Sequence, residues 1–389
     1  MPLLPVDNLV ETTRPLVLIV DNSRAVTGAL NAIRHATNPL REQVRFAYVV
    51  PTGSSAQAVL EQDGYAVSQL PFIEISRRKA DLLLYVPMLL LNGWRLFRLA
   101  KRQRASIIHL NDFYNLTGYI AQFLSFGRLK LIVHVRFLPQ SLPQPLARSW
   151  KWLAEARASQ VVCVSKAVQH YFQSRAKTQV IYDPLPGVER YPAPVQATRP
   201  GGTVHLLYLS NYIRGKGQNY ALQAFQLAYA HQPQLRLTFV GGDMGMAKNQ
   251  EFRQELEAEV ASAGLTSVVS FAGFAADTEQ LIKSYDIVLN FSEAESFSLT
   301  CLDALYFGTP LIASDCGGPA ELFEHGQSGF LVPNRDVAAM ATAIGTLASS
   351  VELRTRLAQA SRQFVRQKFA PAHTYQALAA LYQQALASK

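Results

Sequence analysis

Two carboxylates near the start of one predicted helix are well placed to bind a ligand together. Residues 298–308, SLTCLDALYFG, have a helical period that ends at Gly308, a residue type common just after a helix. Glu295 precedes this helix, and Asp303 lies on it, eight positions further along the chain. Because a helix turns once in about 3.6 residues, Asp303 lies about two turns along, and the two carboxylates can contact one elongated ligand at different points.

The start of the same helix is a predicted phosphate site. The first N–H groups of a helix have no partner within it, and the helix dipole is positive there. The next loop repeats the arrangement: ASDCGGPAEL passes through Gly317 and Gly318 and is predicted to open a helix at Pro319. Taken singly, each feature has an ordinary explanation, since Glu295 can complement the dipole, Asp303 can be solvated and the glycines can form a turn.

The elements that position these residues are short β-branched strands alternating with helices, a pattern that predicts parallel sheets covered by helices. A stretch without periodicity, PLPGVERYPAPVQATRPGG, is predicted to be a linker, and the tail from Val351 is predicted to form two helices broken near Pro371. The predicted strands are LVLIV (16–20), RFAYVV (45–50), SIIHL (106–110), KLIVHV (130–135), QVVCV (160–164) and TQVIY (178–182), then VHLLYLS, RLTFVGG, VVSFAG, DIVLNFS, PLIAS and GFLV, with the later helices beginning near Gly217, Asn249, Asp277, Ser298, Pro319 and Asp336.

The predicted fold class is therefore α/β, with two Rossmann-like, doubly wound parallel-sheet lobes. We place the first lobe at residues 1–190 and the second at 191–370. Such sheets bind ligands at the carboxyl ends of their strands, where the strand order reverses. We therefore expect the site in a cleft across which the lobes face each other.

The segment 290–333 resembles the retaining glycosyltransferases of family four, which have the GT-B architecture. Their signature is a Glu, seven residues and a second Glu, then a G-x-P turn and a Gly-Gly-x-x-Glu loop. Further similarity lies in LLYLSNYIRGKGQNYALQAF, FVGGDMGM, VSFAGF, IIHLND, LIVHV and QVVCVSKAV. The matching residues of the signature are Glu295, Phe297, Leu299, Asp303, Ala304, Gly308, Pro310, Ser314, Gly317, Gly318, Glu321, Gly326 and Gly329.

The resemblance implies transfer of a sugar from a nucleotide-sugar donor, with the acceptor in the first lobe, the donor in the second, and a helix at 371–389 that returns to the first lobe. Breaking the anomeric C–O bond leaves a diphosphate whose charge the protein must neutralise. The implied catalytic residues are Lys216 for the phosphate, Glu295 for the sugar hydroxyls or phosphate edge, and His134 for the donor sugar. Asp303 is implied to bind the ribose, and the other implied donor contacts are Asn211, Arg214, Gly242, Gly273, Phe274, Ser298 and Leu299.

The sequence departs from the family pattern at three places. Asp303 stands where a Glu is usual, and Asn211 stands five residues before Lys216 where an Arg is usual, so that Arg214 is the predicted substitute. The first-lobe loop DNSRAVTGAL has one glycine where the family often has two. Ser23, Thr27 and Gly28 in this loop are predicted to contact the acceptor or a phosphate.

The composition excludes several classes of protein. The 389 residues are 49% hydrophobic and 17% charged, as in globular proteins, and the three cysteines are too few for a disulfide framework. There is no DxD pair or His/Cys cluster, so no metal and no cofactor are expected. The start of the chain has no pattern of a secretory signal, so we expect a cytoplasmic protein. The basic residues follow no nucleic-acid-binding motif, and no nucleic-acid partner is predicted.

Positive charge is concentrated in the first lobe. Up to Arg190 there are 23 basic and 12 acidic residues, and eight of the basic ones bracket the apolar run LLLYVPMLLL at 82–91. The run is too short to cross a bilayer, so we predict a buried helix, with a helix on the membrane surface as the alternative. If the charge is more than solubilising, the lobe docks on the anionic inner face of a membrane and takes a lipid-linked or polysaccharide acceptor. The eight residues are Arg77, Arg78, Lys79, Arg95, Arg98, Lys101, Arg102 and Arg104.

Two other functions stay open at this point. A two-lobed protein could bind a nucleotide sugar without transferring it. A GT-B epimerase or phosphorylase would share the architecture, although the epimerases lack the Glu295 to Asp303 spacing. The nucleotide base, the donor sugar and the acceptor cannot be predicted from these residues.

Overall fold

The computed structural model describes residues 14–73, 79–174, 176–185 and 202–387, with the backbone alone at 79–82. The chain forms two compact units: Met1–Pro186 with Pro371–Lys389, and Gly187–Ala370. Most of the predicted linker, and the basic residues Arg77 and Arg78, lie outside the described residues. Each unit is built on one parallel sheet.

The first unit has seven parallel strands in the order β3-β2-β1-β4-β5-β6-β7, so that the strand order reverses between β1 and β4. All six strands predicted here are confirmed. The strands are β1 (Leu16–Val20), β2 (Arg45–Pro51), β3 (Ala66–Leu70), β4 (Ala105–Leu110), β5 (Lys130–Val135), β6 (Gln160–Cys163) and β7 (Thr178–Val180). The helices are α1 (Gly28–Thr37), α2 (Ala56–Gln62), α3 (Lys79–Gln103), α4 (Thr117–Leu124), α5 (Gln144–Arg157) and α6 (Lys166–Gln169).

The second unit has six parallel strands in the order β10-β9-β8-β11-β12-β13, and its order reverses between β8 and β11. All six predicted strands are confirmed. The strands are β8 (Val204–Leu209), β9 (Leu235–Val240), β10 (Val269–Ala272), β11 (Ile287–Asn290), β12 (Leu311–Ser314) and β13 (Phe330–Val332). The helices are α7 (Gln218–Tyr229), α8 (Ala247–Ser262), α9 (Thr278–Lys283), α10 (Leu299–Phe307), α11 (Val337–Ser349) and α12 (Val351–Lys368).

The last helix, α13 (Pro371–Ala387), packs within the first unit. Leu381 and Tyr382 are fully buried in the same core as Ile107 of β4. The hydroxyl of Thr374 donates a hydrogen bond to the carbonyl oxygen of Tyr182 at 2.8 Å. The proline that opens α13 cannot donate a backbone hydrogen bond, and this explains the break after α12.

The prediction misses one strand, and two of its expectations are wrong. The strand β3 is absent from the prediction because AVSQL lacks a β-branched run, and as an edge strand it is largely uncovered. Pro319 lies in a four-residue 3₁₀ turn, Gly318–Glu321, and does not open an α-helix. One face of the run in α3 is not buried, since Leu83, Val86 and Leu90 are more than half exposed.

Candidate active site

An ion pair joins two loops of the second unit. The Nζ atom of Lys216 lies 2.6 Å from Oε1 of Glu295, and the two side chains are 33% and 15% exposed, respectively. Lys216 follows β8 and Glu295 follows β11, the neighbouring strands that flank the reversal of strand order. Two of the three predicted catalytic residues thus meet at the edge where doubly wound sheets bind ligands.

The buried hydroxyl of Tyr208 on β8 holds these loops together. It donates to the carbonyl oxygen of Lys216 at 2.5 Å and accepts from the N–H of Phe291 at 2.9 Å. Gly217 has a φ of +88°, and a Cβ there would lie 2.0 Å from the carbonyl oxygen of Phe291. Because only glycine tolerates both conditions, Gly217 fixes the close approach that brings Lys216 to Glu295.

The double glycine holds the Glu295 loop from its other side. The N–H of Gly318 donates to the carbonyl oxygen of Glu295 at 2.8 Å, and the N–H of Glu295 donates to the carbonyl oxygen of Cys316 at 3.3 Å. A Cβ at Gly318 would lie 2.3 Å from the carbonyl oxygen of Ser296. The predicted phosphate helix at Pro319 is therefore replaced by a turn that positions the carboxylate.

Ser298 caps α10, the helix that the sequence predicts to begin near this residue. Its hydroxyl oxygen accepts from the N–H of Cys301 at 3.4 Å and from the amide of Asn290 at 3.1 Å. Its φ of +76° is unusual for a residue with a side chain, and such strain of about 1–3 kcal/mol is typical of ligand sites. Leu299 is the first residue of α10, and Gly308 ends it in the left-handed conformation. The free N–H groups of this first turn can bind an anion.

Asp303 lies on α10, where the residue is half-buried and the Oδ1 atom of its carboxyl group is buried. Its Oδ1 atom has no hydrogen-bond partner within the described part of the chain. Burial raises the pKa of Asp303 to about 7. A buried carboxyl with free acceptor capacity can bind a vicinal pair of hydroxyl groups.

Asn211, which stands where the family usually has Arg, braces a neighbouring loop. Its Oδ1 atom accepts from the N–H of Gly242 at 3.1 Å, and its carbonyl oxygen accepts from the side-chain amide of Gln218 at 2.9 Å. The predicted substitute, Arg214, is bound by both carboxylate oxygens of Glu255 on α8 and is 62% exposed. The two basic residues of this loop thus bind different carboxylates, Lys216 that of Glu295 and Arg214 that of Glu255.

Two further predicted donor residues follow β10. A Cβ at Gly273 would lie in open space, and Phe274 is 81% exposed. An exposed aromatic ring at the carboxyl end of a strand can stack on a planar ligand.

In the first unit, His134 lies near the end of β5 and is buried. Its ring stacks on that of His109 with the centroids 5.5 Å apart, and the hydroxyl of Tyr382 lies 2.8 Å from Nδ1 of His109. Burial, with Arg136 and His109 nearby, holds the pKa of His134 well below its ordinary value. His134 is therefore a neutral imidazole, and its Nε2 atom has no partner among the described residues.

A buried ion pair beside His134 is absent from the residues predicted above. The guanidinium of Arg136 lies 2.7 Å from the carboxylate of Asp183, and its Nε donates to the side chain of Asn111 at 2.7 Å. Arg136 directly follows an apolar strand, and Asn111 directly follows another. Polar residues directly after buried strands are the signal in the sequence that points to them.

The predicted first-lobe loop is internally bonded. The hydroxyl groups of Ser23 and Thr27 are 3.1 Å apart, and Thr27 caps α1 by accepting from the N–H of Leu30 at 3.2 Å. Gly28 is the first residue of α1. Thr27 thus has a structural role in the helix cap, and a ligand contact by Ser23, Thr27 or Gly28 stays a prediction.

Two kinds of feature are missing from the described residues. In that part of the chain, no group of three or more His, Cys, Asp or Glu side chains could hold a metal ion. None of its helices is long and apolar enough to cross a membrane.

Two protein-family models match consecutive parts of the chain. Residues 33–185 match the model of Glycosyltransferase Family 4, and residues 193–364 match that of Glycosyl transferases group 1. EpsD of Bacillus subtilis is 29% identical over 177 residues, 46% of this chain and 44% of that protein. Human alpha-1,3/1,6-mannosyltransferase ALG2 is 30% identical over 174 residues, 43% and 42% of the two chains. The matches span less than half the length of these curated relatives.

A similar solved structure is that of Anabaena HepE in complex with UDP-glucose. It is 23% identical, covers 95% of this chain and 99% of that one, and has a TM-score of 0.77. This likeness shows the fold, and the two family models cover residues 33–185 of the first unit and 193–364 of the second. The chain therefore belongs to the glycosyltransferases of group 1 and family four, with the GT-B fold.

Proposed function

We propose that the protein is a retaining glycosyltransferase that moves a hexose from a nucleotide-sugar donor to a hydroxyl group of an acceptor. The observation that carries this proposal is the pair of Lys216 and Glu295 on the two loops that flank the strand reversal of the second sheet. A cation beside a carboxylate provides both chemistries that a nucleotide sugar needs: charge for the diphosphate and hydrogen-bond acceptors for sugar hydroxyls.

In the proposed reaction, the bond between the anomeric carbon and the diphosphate oxygen breaks, and its electron pair leaves with the diphosphate. The oxygen of the acceptor hydroxyl forms the new bond on the same face, and its proton passes to the departing phosphate oxygen. Lys216 and the first turn of α10 stabilise the developing negative charge. Glu295 holds sugar hydroxyls, and Asp303 holds the ribose.

We assign His134 to the donor sugar, as the family resemblance implies. Its neutral imidazole has an unpartnered Nε2 atom that can make a hydrogen bond to a hydroxyl group without adding charge near the anomeric carbon. Asn211 is proposed to act indirectly, since it positions the Gly242 loop.

A UDP-hexose is the first donor to test. The structure of HepE was determined with UDP-glucose, and the fold of that protein covers nearly all of this chain. ALG2 is named as a mannosyltransferase, which keeps GDP-mannose in the panel. No bound metal is proposed, because Lys216 and the helix dipole can supply the positive charge that Mg²⁺ provides elsewhere.

The exposed face of α3 supports docking on a membrane. Four apolar side chains three or four positions apart form one stripe, and Arg95, Arg98, Lys101 and Arg102 follow along the helix. We propose that this stripe contacts an anionic membrane and that the acceptor is a lipid-linked or surface-polysaccharide precursor. The stripe consists of Leu83, Val86, Leu90 and Trp94, which are 78%, 56%, 56% and 46% exposed.

The proposed function is tested with a thermal-shift panel of UDP, GDP, ADP and CMP and their sugars, followed by NMR of the reaction products. A ligand at 100 times its dissociation constant stabilises the folded state by about 2.7 kcal/mol. Transfer with an unchanged anomeric configuration supports the proposal. Binding without turnover indicates a binding protein, an altered donor sugar indicates an epimerase, and release of a sugar phosphate indicates a phosphorylase.

A further inference from the structure

The first unit contains a cavity of about 280 Å³ that is lined by none of the residues assigned to the donor. Asn22 is the second residue after β1, and Asn115 is the fifth residue after β4. Both contribute to the wall of the cavity beyond the carboxyl ends of the strands that flank the reversal of strand order. Tyr85 and Asn92 of α3 and Trp150 of α5 enclose it further. The volume is near the lower end of ligand pockets, roughly 300–1,000 Å³, so that it suits one ring rather than a chain of sugars.

Aromatic rings form the apolar part of this cavity. Tyr114 and Trp150 line it with their ring centroids 6.1 Å apart and an angle of 49° between the rings, and Trp150 is 8% exposed. Aromatic faces offer flat apolar area at little cost in conformational entropy. The C–H face of a sugar ring is a flat apolar surface of matching shape.

Asn92 supplies an unpartnered polar group on the wall. The side chain is 2% exposed, and its Nδ2 atom donates to the carbonyl oxygen of Pro71 at 2.9 Å. That carbonyl can only accept, so it fixes the orientation of the amide. The Oδ1 atom of Asn92 has no hydrogen-bond partner among the described residues. A buried acceptor without a donor is costly, and a ligand hydroxyl group would satisfy it.

Electrostatics restricts the ligand further. The first lobe has a large excess of basic residues, yet every described residue that lines the cavity is uncharged. A phosphate or carboxylate would be desolvated there without a counter-charge. An alkyl chain would leave the unpartnered Oδ1 atom of Asn92 facing apolar groups, whereas a sugar ring presents hydroxyl groups along its edge.

We infer that this cavity binds an uncharged sugar ring, the residue of the acceptor that receives or adjoins the transferred hexose. This inference rests on the proposed glycosyltransferase function. It adds to that function the class of acceptor: a neutral saccharide, as opposed to a sugar phosphate, a uronic acid or a bare lipid.

The test is saturation-transfer NMR of the full chain with the methyl glycosides of glucose, galactose, mannose and N-acetylglucosamine. Glucose 6-phosphate, methyl glucuronide and hexanol are the comparison ligands. At least one neutral glycoside should bind, and Asn92→Leu should raise its dissociation constant at least about tenfold, the scale of one hydrogen bond. The matched control is Asn249→Leu, because Asn249 on α8 is also 2% exposed and also donates to a backbone carbonyl oxygen at 2.9 Å.

A second variant, Leu89→Trp, keeps the bond between Asn92 and Pro71 and fills the cavity from α3, so that it should also abolish glycoside binding. The inference is overturned if no neutral glycoside binds, or if a charged sugar or hexanol binds as tightly as the neutral glycosides do. It is also overturned if both variants bind the glycoside as tightly as the parent chain does. Binding of UDP-glucose to the same samples is measured separately. If the parent chain does not bind the nucleotide sugar, the proposed function is contradicted. If it binds the nucleotide sugar but no glycoside, only the assignment of the cavity is contradicted.

Discussion

Lys216 and Glu295 are 79 positions apart in the sequence, yet the Nζ atom of one lies 2.6 Å from an Oε atom of the other. The contact depends on backbone features of both loops, above all the hydrogen bonds of Tyr208 and the absence of a Cβ at Gly217. In the proposed reaction, a donor diphosphate replaces Glu295 as the partner of Lys216, and the released carboxylate then binds sugar hydroxyls.

Replacement of Glu295 by Gln should lower turnover of the donor by about 10²–10³, the scale found when one stabilising group is removed. The unfolding temperature should change little, because partly exposed ion pairs contribute only about 0–1 kcal/mol. Glu293→Gln is the matched control, since Glu293 lies on the same loop and pairs with Arg335 at 2.6 Å. Equal turnover in the two variants would remove Glu295 from the catalytic residues.

Asp303→Asn should weaken binding of the bare nucleotide by about 1–3 kcal/mol, because hydrogen bonds to a charged group are among the stronger ones. Isothermal titration with UDP, and with the same nucleotide in its 2′-deoxy form, measures the effect. The deoxy nucleotide should bind the parent chain more weakly, and the variant should discriminate less between the two. Undiminished discrimination would show that the ribose is held elsewhere.

The stability of the unliganded protein should depend on pH through Asp303. Burial raises the pKa of this carboxyl to about 7, so the folded state binds its proton more tightly than the unfolded state does. This contribution to stability is fully present below about pH 4 and is lost as the pH rises through about 7.

The Asn variant cannot ionise at this position, so between about pH 5 and pH 8 its unfolding temperature should fall less than that of the parent chain. Asp277→Asn serves as a control, because Asp277 is an exposed helix cap that accepts from the N–H of Gln280. Parallel curves for parent and Asp303→Asn would contradict the assignment of a raised pKa.

Co-sedimentation with vesicles tests the apolar stripe of α3. The chain should bind anionic vesicles at low salt, and high salt should weaken the binding because charges are screened beyond about 8 Å at physiological ionic strength. Leu83→Ser with Leu90→Ser should reduce binding at both salt concentrations. Leu227→Ser is a control on the second unit, where Leu227 is 51% exposed. Equal recovery in the supernatant with anionic and neutral vesicles would favour a soluble acceptor.

The strands can be predicted because strands covered on both faces are continuous apolar runs, and KLIVHV and LVLIV have the same bounds as β5 and β1. The exposure of α3 cannot be predicted, because an apolar run shows what a helix can bury but not what covers it. The pair of Arg136 and Asp183 joins residues 47 positions apart and has no local pattern. The prediction at Pro319 is wrong because a G-G-P loop permits both a helix start and the turn that the bonds to Glu295 require.

The central claim, that Lys216 acts on a nucleotide-sugar donor, is tested most directly by nucleotide release. The measurement compares release of UDP from UDP-glucose, or of the nucleotide that the thermal-shift panel selects, by the parent chain, Lys216→Ala and Lys283→Ala. Lys283 pairs with Glu279 on the surface of α9 in the same unit. We expect release by the parent and by Lys283→Ala, and release about 10²–10³ slower by Lys216→Ala, at nearly equal unfolding temperatures. Equal rates in all three proteins, or no release from any donor of the panel, would contradict the claim.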